Sequence, residues 1–113
     1  MEWIFILAIV AFFVWKMMPS KGVKSISTAE LKNVLNDQGK VFIDVRTPAE
    51  YKGSSIKQFK NIPLGSSFEN LPKDKEIVVI CQSGMRSSNA CKQLKKIGYE
   101  RVTNVRGGMS AWS

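Results

Sequence analysis

Short apolar runs rich in β-branched residues most restrict what this chain can fold into. Residues 41–45 and 76–81 have the composition of strands that are buried on both faces of a parallel sheet, and residues 102–105 form a further short run of the same kind. Helical patterns lie between these runs. Strands that alternate with helices predict a parallel sheet, so the expected fold class is α/β, with a central parallel sheet flanked by helices.

Helix-capping signals indicate where the intervening helices begin. Residues 27–30 (Ser-Thr-Ala-Glu) have the spacing of a capping box and predict a helix to about Asn36. Residues 47–50 (Thr-Pro-Ala-Glu) repeat the pattern with proline at the first helical position, which predicts a brief helix through Tyr51. A third helix is expected after the loop 82–86 and ends at Gly98. Residues 62–64 are expected to form a short edge segment.

The first eighteen residues differ in character from the rest of the 113-residue chain. Residues 3–15 are all apolar, and Lys16 then precedes two methionines. As a helix in which Lys16 snorkels, residues 1–18 would reach about 27 Å, enough for a thin bilayer. A cleaved signal peptide is disfavoured because Glu2 opens the run, and a core helix is disfavoured because no polar face is present.

We therefore expect residues 1–18 to be a transmembrane anchor, residues 19–23 a linker and residues 24–113 a single folded domain. Lys16, Lys21 and Lys24 follow the apolar run, and no lysine or arginine precedes it. The positive-inside rule then places the amino terminus outside and the domain in the cytoplasm.

Charge and composition restrict the chemistry. Seventeen Lys and Arg residues against nine Asp and Glu give a net charge of +8, which suits nucleic acid, an anionic membrane surface or a small anionic substrate. No nucleic-acid-binding module is recognisable, so no nucleic-acid partner is expected. The chain has no histidine and only Cys81 and Cys91 as cysteines, too few ligands for a Cys/His zinc site. We expect no metal and no cofactor, and a reducing compartment.

Cys81 is the candidate nucleophile. It is expected to close a strand at the carboxyl edge of the sheet, where open parallel sheets bind ligands. Loop and helix N–H groups, the helix dipole and Arg86 would stabilise its thiolate without an imidazole base, and Gly84 would let the loop turn tightly. A cysteine at the end of a strand can also be a small buried apolar residue, but the glycine and arginine that follow favour a functional role.

Four motifs resemble the signatures of the rhodanese family. Residues 81–87 (Cys-Gln-Ser-Gly-Met-Arg-Ser) resemble its active-site loop, and residues 44–51 (Asp-Val-Arg-Thr-Pro-Ala-Glu-Tyr), 61–64 (Asn-Ile-Pro-Leu) and 106–112 (Arg-Gly-Gly-Met-Ser-Ala-Trp) resemble three others. They occur in order across about residues 24–112. The chain departs from the pattern at residues 54–56, where Ser-Ser-Ile replaces the usual Gly-His-Ile. The resemblance implies a rhodanese-like domain, here preceded by the predicted transmembrane helix.

The resemblance also implies a sulfurtransferase. Cys81 would take a sulfane sulfur from thiosulfate or a related anionic donor, hold it as a persulfide, and pass it to cyanide, a thiol or a protein acceptor. Asp44 is expected to have a structural role, paired with Arg46 or loop N–H groups. The residues expected to bind the donor are Gln82, Ser83, Gly84, Met85 and Arg86, with Arg46 as a further candidate.

Other functions remain open at this stage. Related domains with five residues between the cysteine and the arginine are phosphatases or arsenate reductases, whereas this loop has four, which favours sulfur transfer. Alternatively, the domain is a membrane-tethered module that delivers its persulfide only to a protein partner, or merely docks one. Cys91 is expected to be a core thiol, with a resolving disulfide to Cys81 as the alternative, and Glu50 is expected to cap a helix.

Overall fold

The computed structural model describes residues 4, 6–10 and 23–112. From Val23 onward the chain forms a five-stranded parallel sheet with strand order β1-β5-β4-β2-β3, so the predicted α/β class with a parallel sheet is confirmed. The strands are β1 (Val23–Ile26), β2 (Lys40–Asp44), β3 (Lys60–Asn61), β4 (Glu76–Ile80) and β5 (Val102–Val105). The helices that flank the sheet are α1 (Thr28–Val34), α2 (Pro48–Gly53), α3 (Met85–Lys96) and α4 (Gly108–Ala111).

The central strand β4 is buried on both faces. Ile77 and Val79 pack into one hydrophobic layer with residues of α3, whereas Val78 and Ile80 pack into the opposite layer with Leu31 of α1. All four β4 side chains are at most 1% exposed. The uninterrupted apolar run of this strand follows from its position, because a strand covered on both faces has no polar side.

Both predicted capping boxes are present. Ser27 Oγ accepts the N–H of Glu30 at 3.2 Å, and the Glu30 carboxylate accepts the N–H of Ser27 at 3.4 Å. Thr47 and Glu50 make the equivalent bonds at 3.2 and 3.1 Å at the start of α2. These reciprocal bonds satisfy amide donors that a helix start leaves unpaired.

The first strand was not predicted from the sequence. Val23 is expected to belong to the linker, but it is the first residue of β1 and pairs with Val102 of β5. Only the two ends of β1 are partly buried, and the two residues between them, Lys24 and Ser25, are exposed. Such a strand has neither a long apolar run nor a clear alternation, so it gives little signal in the sequence.

Strand boundaries shift at the opposite edge as well. The edge strand β3 precedes the expected segment 62–64. The expected segment nevertheless continues along β2, since the N–H groups of Ile62 and Leu64 donate to the carbonyl oxygens of Asp44 and Val45 at 2.9 and 3.0 Å. Helix α1 ends earlier than expected and α2 ends later, as is common at helix termini.

The predicted anchor and linker fall mainly outside the described residues. Residues 4 and 6–10 are helical, and the other residues of 1–22 are not described. Within residues 4, 6–10 and 23–112, no helix is both long enough and apolar enough to cross a membrane.

Tyr99 holds the connection between β3 and β4. Its ring is almost completely buried in the core layer that also contains Phe68. Its hydroxyl lies 2.7 Å from the carbonyl oxygens of both Phe68 and Leu71, and its single hydrogen is shared between these two acceptors. One side chain from the turn after α3 thereby fixes a loop that has no regular structure of its own.

We expect Tyr99→Phe to lower the free energy of unfolding by about 1–3 kcal/mol, because a buried and a partly buried carbonyl oxygen lose their hydroxyl donor while the ring stays in place. Urea denaturation followed by circular dichroism measures the change. A difference below about 0.5 kcal/mol, typical of surface substitutions, would contradict this role of the hydroxyl.

Candidate active site around Cys81

Cys81 lies at the carboxyl edge of the sheet, between β4 and α3. The sequence predicts that Cys81 is the last residue of the strand. Strand β4 instead ends at Ile80, so Cys81 is the first residue of the loop. The side chain has no exposed surface and belongs to the core layer under α3. This is the end of a parallel sheet at which ligand sites are normally found.

The sulfur of Cys81 replaces a side-chain cap at the start of α3. The N-cap residue, Gly84, makes no side-chain hydrogen bond and has a φ of +100°. Its N–H donates to Cys81 Sγ at 3.0 Å, and Ser87 Oγ lies 3.3 Å from the same sulfur. The left-handed backbone at Gly84 lets successive amides converge on one anionic atom, as anion-binding loops require.

These bonds lower the pKa of the Cys81 thiol below its ordinary value even though the thiol is buried. Burial raises the pKa, because it penalises the charged thiolate. The hydroxyl of Ser87 and the N–H groups of Ser87, Gly84 and Ser83 lower it and outweigh the effect of burial. Cys81 is therefore more ionised at neutral pH than a free cysteine, without help from a histidine.

Cys91 lies in the same core layer but in a different electrostatic state. Burial, with a smaller effect from Cys81, raises the pKa of Cys91 to about 12. Both cysteines are free thiols, and Cys91 is completely buried on α3. Cys91 is thus protonated at neutral pH and packs as a core residue, the role favoured by the sequence.

Ser87 and Asn104 connect the sulfur to the neighbouring strand β5. Ser87 Oγ lies 3.3 Å from Cys81 Sγ and is also hydrogen-bonded to Asn104 Oδ1. Asn104 Nδ2 donates to the carbonyl oxygen of Gly84 at 3.3 Å. Neither residue has a role predicted from the sequence. The available signal was a polar residue near the carboxyl end of an apolar strand beside β4.

Arg86 is paired with a carboxylate from α2. Its Nη1 and Nη2 lie 2.7 and 2.9 Å from Oε1 and Oε2 of Glu50, a bidentate arrangement. Arg86, followed by the N–H of Thr47, lowers the pKa of Glu50 to about 2. Glu50 therefore caps α2, as predicted, and also neutralises the arginine that the sequence assigns to donor binding. Sequence reasoning missed this second role.

Asp44 and Arg46 form an ion pair that is almost completely buried. Arg46 Nη2 lies 2.9 Å from Asp44 Oδ2, and Nε lies 3.1 Å from both carboxylate oxygens. Nη1 donates to Gln82 Oε1 at 3.4 Å, and Nη2 also donates to the carbonyl oxygen of Ser54 at 2.6 Å. Every guanidinium nitrogen has a protein acceptor. This geometry favours a structural role for Arg46 over the predicted contact with an incoming anion.

The remaining residues predicted to bind the donor do not all face the sulfur. The Gln82 side chain bridges Arg46 and Ser110 Oγ, at 3.4 and 3.1 Å. Met85 is 76% exposed. Ser83, Gly84 and Met85 line an open depression of about 480 Å³ that also includes Lys92, Asn104 and Arg106, but Cys81 does not line it. The depression therefore lies beside the loop, and the thiol is not part of its lining.

Helix α4 fastens the loop from the carboxy-terminal side. The N–H groups of Met109 and Ser110 donate to the carbonyl oxygens of Cys81 and Gln82, both at 2.9 Å. Gly108 has a φ of +53°, and a Cβ atom there would lie 2.1 Å from the Cys81 carbonyl oxygen. Only glycine allows this close approach. The motif 106–112 therefore supports the loop backbone.

Comparison with known proteins identifies the family. A family model of rhodanese-like domains matches residues 27–113. YtwF of Bacillus subtilis is 47% identical over 94 residues, which cover 80% of this chain and 90% of YtwF. A sulfurtransferase of Allochromatium vinosum is 38% identical over 95 residues, covering 80% and 89% of the two chains. The crystal structure of a rhodanese-like domain protein from Staphylococcus aureus matches with a TM-score of 0.72 and 36% identity, over 80% of this chain and 91% of that chain.

A parallel α/β sheet with an amide-lined cysteine loop at its carboxyl edge defines a class of cysteine-dependent domains. Within that class, this chain belongs to the rhodanese-like sulfurtransferase family. The family resemblance noted in the sequence is confirmed.

We expect Ser87→Ala to raise the pKa of Cys81 and to slow its alkylation by iodoacetamide at pH 7 by about tenfold. The reason is that the Ser87 hydroxyl, which shares its one hydrogen between Asn104 Oδ1 and the sulfur, lowers the pKa of Cys81, and the thiolate is the reacting form. The alkylation rate as a function of pH measures the effect, and the two profiles should converge at high pH. Ser88→Ala, next to Ser87 on α3, is the matched control. Coincident profiles for Ser87→Ala and wild type would refute this role of the hydroxyl.

Proposed function

We propose that the domain transfers sulfane sulfur through a persulfide on Cys81. The observation that carries the proposal is the buried Cys81 sulfur, which accepts the N–H of Gly84 at 3.0 Å, lies 3.3 Å from Ser87 Oγ, and has a lowered pKa. Such an arrangement stabilises a thiolate before transfer and a persulfide anion after it. Membership of the rhodanese-like sulfurtransferase family supports the same chemistry.

The reaction consists of two nucleophilic displacements. The Cys81 thiolate attacks the outer sulfur of a donor such as thiosulfate, the S–S bond of the donor breaks, and sulfite leaves with the bonding electron pair. A thiolate or cyanide then attacks the terminal sulfur of the Cys81 persulfide, and the Cys81 thiolate leaves. Because Cys81 has no exposed surface, entry of the donor requires side chains around the loop to move.

We expect the purified full chain to gain about 32 Da, the mass of one sulfur atom, after incubation with thiosulfate or methanethiosulfonate. Cys81 is the ionised thiol whereas Cys91 stays protonated, so the gain should disappear in Cys81→Ser and persist in Cys91→Ser. Intact-mass spectrometry measures the adduct. An adduct that persists in Cys81→Ser, or none from either donor with wild type, would overturn the mechanism. Efficient loading with very slow turnover to thiocyanate would indicate delivery to a protein acceptor.

We also propose that residues 1–18 hold the domain at the cytoplasmic face of a membrane. The support is the apolar run of residues 3–15, the helical conformation of residues 6–10, and the lysines at positions 16, 21 and 24 that follow the run. Sulfur transfer would then take place close to the bilayer surface, within reach of the short segment that follows the run.

We expect the full chain expressed in bacteria to stay in the membrane pellet after alkaline carbonate extraction, because about 27 Å of apolar helix would be buried in lipid. A chain that lacks residues 1–18 should be released. In spheroplasts, a carboxy-terminal tag should resist added protease until the cells are lysed. Extraction of the full chain by carbonate would contradict the anchor, and digestion of the tag in intact spheroplasts would contradict the orientation.

A further inference from the structure

The carboxylate of Glu50 lies beside the active-site loop through its bond to Arg86. Arg86 is the second residue of α3, so the ion pair stands at the helix terminus that holds the Cys81 sulfur. The charge of Cys81 in turn affects Arg86, contributing to the raised pKa of that guanidinium. The side chains of Arg86 and Glu50 are 36% and 31% exposed, so a molecule that approaches from solvent meets both.

The two ion pairs nearest the loop leave its side chains without net positive charge. Arg86 is matched by Glu50, and Arg46 is matched by Asp44. The other cations close to the loop, Lys92 and Arg106, line the depression from which Cys81 is absent. With Arg86 and Arg46 each matched by a carboxylate, the amide dipoles of the loop remain to attract an anion at the sulfur, and the reacting thiolate adds one negative charge.

Sulfane donors differ in the charge that they bring to this environment. Thiosulfate is a dianion at neutral pH, whereas an alkanethiosulfonate or an organic persulfide carries a single charge on the sulfur-bearing group. A fixed carboxylate repels a dianion about twice as strongly as a monoanion at the same distance. The net charge of +8 attracts both donors from afar, but the nearest fixed charges decide which is bound in the loop.

We infer that Glu50 is a specificity residue that makes the Cys81 site favour singly charged sulfane donors, such as thiosulfonates and organic persulfides, over thiosulfate. The inference rests on the proposed function of Cys81. Glu50 does not touch the reacting sulfur. It acts through Arg86, whose charge it neutralises, and through its own field at the entrance.

The chain offers a matched pair of variants to isolate this charge. Glutamine can replace glutamate at the third position of a capping box, so Glu50→Gln keeps the cap of α2 while removing the carboxylate from Arg86. Glu30 occupies the same position in the capping box of α1, is mostly exposed, and has only a distant ion pair with Arg106 at 3.7 Å. Glu30→Gln therefore makes the same change in net charge and in capping away from Arg86.

The donors are chosen to differ in charge but not in the bond that breaks. With methanethiosulfonate, CH3SO2S⁻, the Cys81 thiolate attacks the outer sulfur, the S–S bond breaks, and methanesulfinate leaves with the electron pair. Thiosulfate reacts in the same way and releases sulfite. With methanethiosulfonate, reactants and products each carry two negative charges, and with thiosulfate they each carry three. Both steps therefore balance without an added oxidant or reductant.

The experiment measures the second-order rate of persulfide formation on the full chain with each donor, by acid quench and intact mass. We expect wild type and Glu30→Gln to share the same preference for methanethiosulfonate. Glu50→Gln should raise the rate with thiosulfate by about three- to tenfold more than the rate with methanethiosulfonate. Glu50→Asp, which keeps the charge, should retain most of the wild-type preference. Added salt should reduce the difference between Glu50→Gln and wild type.

The possible failures are distinguishable. If wild type loads neither donor, the proposed function falls and this inference falls with it. If both donors load Cys81 but the preference is unchanged in Glu50→Gln, only the inference is overturned. The same holds if Glu50→Asp loses the preference as completely as Glu50→Gln, because geometry and not charge would then be the cause. Circular dichroism of each variant checks that α2 and the fold are retained.

Discussion

The buried ion pair between Asp44 and Arg46 joins the separate chain segments that make up the carboxyl edge of the sheet. Arg46 contacts the end of β2 through Asp44, the active-site loop through Gln82, and the segment after α2 through Ser54. The Asn61 side chain binds the carbonyl oxygens of residues 44 and 46 from the opposite side. Loss of one partner from a buried pair typically costs about 3–5 kcal/mol, since a charge remains without compensation. The pair therefore links the stability of these segments to one another.

This rigid edge allows Cys81 to be both buried and ionised. A thiolate in an apolar core would normally take up a proton, but here the loop and the first turn of α3 present amide hydrogens that would otherwise lack partners. The same hydrogen bonds therefore stabilise the sulfur and satisfy the amides at the start of the helix. Cys91, on the same helix but without such donors, shows the opposite effect of burial on its pKa.

The sequence predicted those parts of the fold that depend on local pattern or on burial. Residues 77–80 of β4 are apolar because both faces of the strand are covered, and α1 and α2 begin at reciprocal capping boxes. Strand β1 escaped prediction because its stability comes from pairing with β5. The motif around Cys81 was predicted because its residues are contiguous in the sequence. The bonds of Glu50 to Arg86 and of Asn104 to Ser87 instead join residues that are 36 and 17 positions apart. Such pairs become visible only when the sheet order is known.

The attachment of the active-site loop to α4 has a consequence for biosynthesis. The amide that holds the Gln82 carbonyl comes from Ser110, 28 residues further along the chain, and the Gly108 turn that contacts Cys81 is equally late. At about 5–20 residues per second, a ribosome adds this turn roughly one to six seconds after the cysteine. The nascent thiol therefore leaves the ribosome before the segment whose amides fasten the loop backbone, and the loop is fastened only after that segment has emerged.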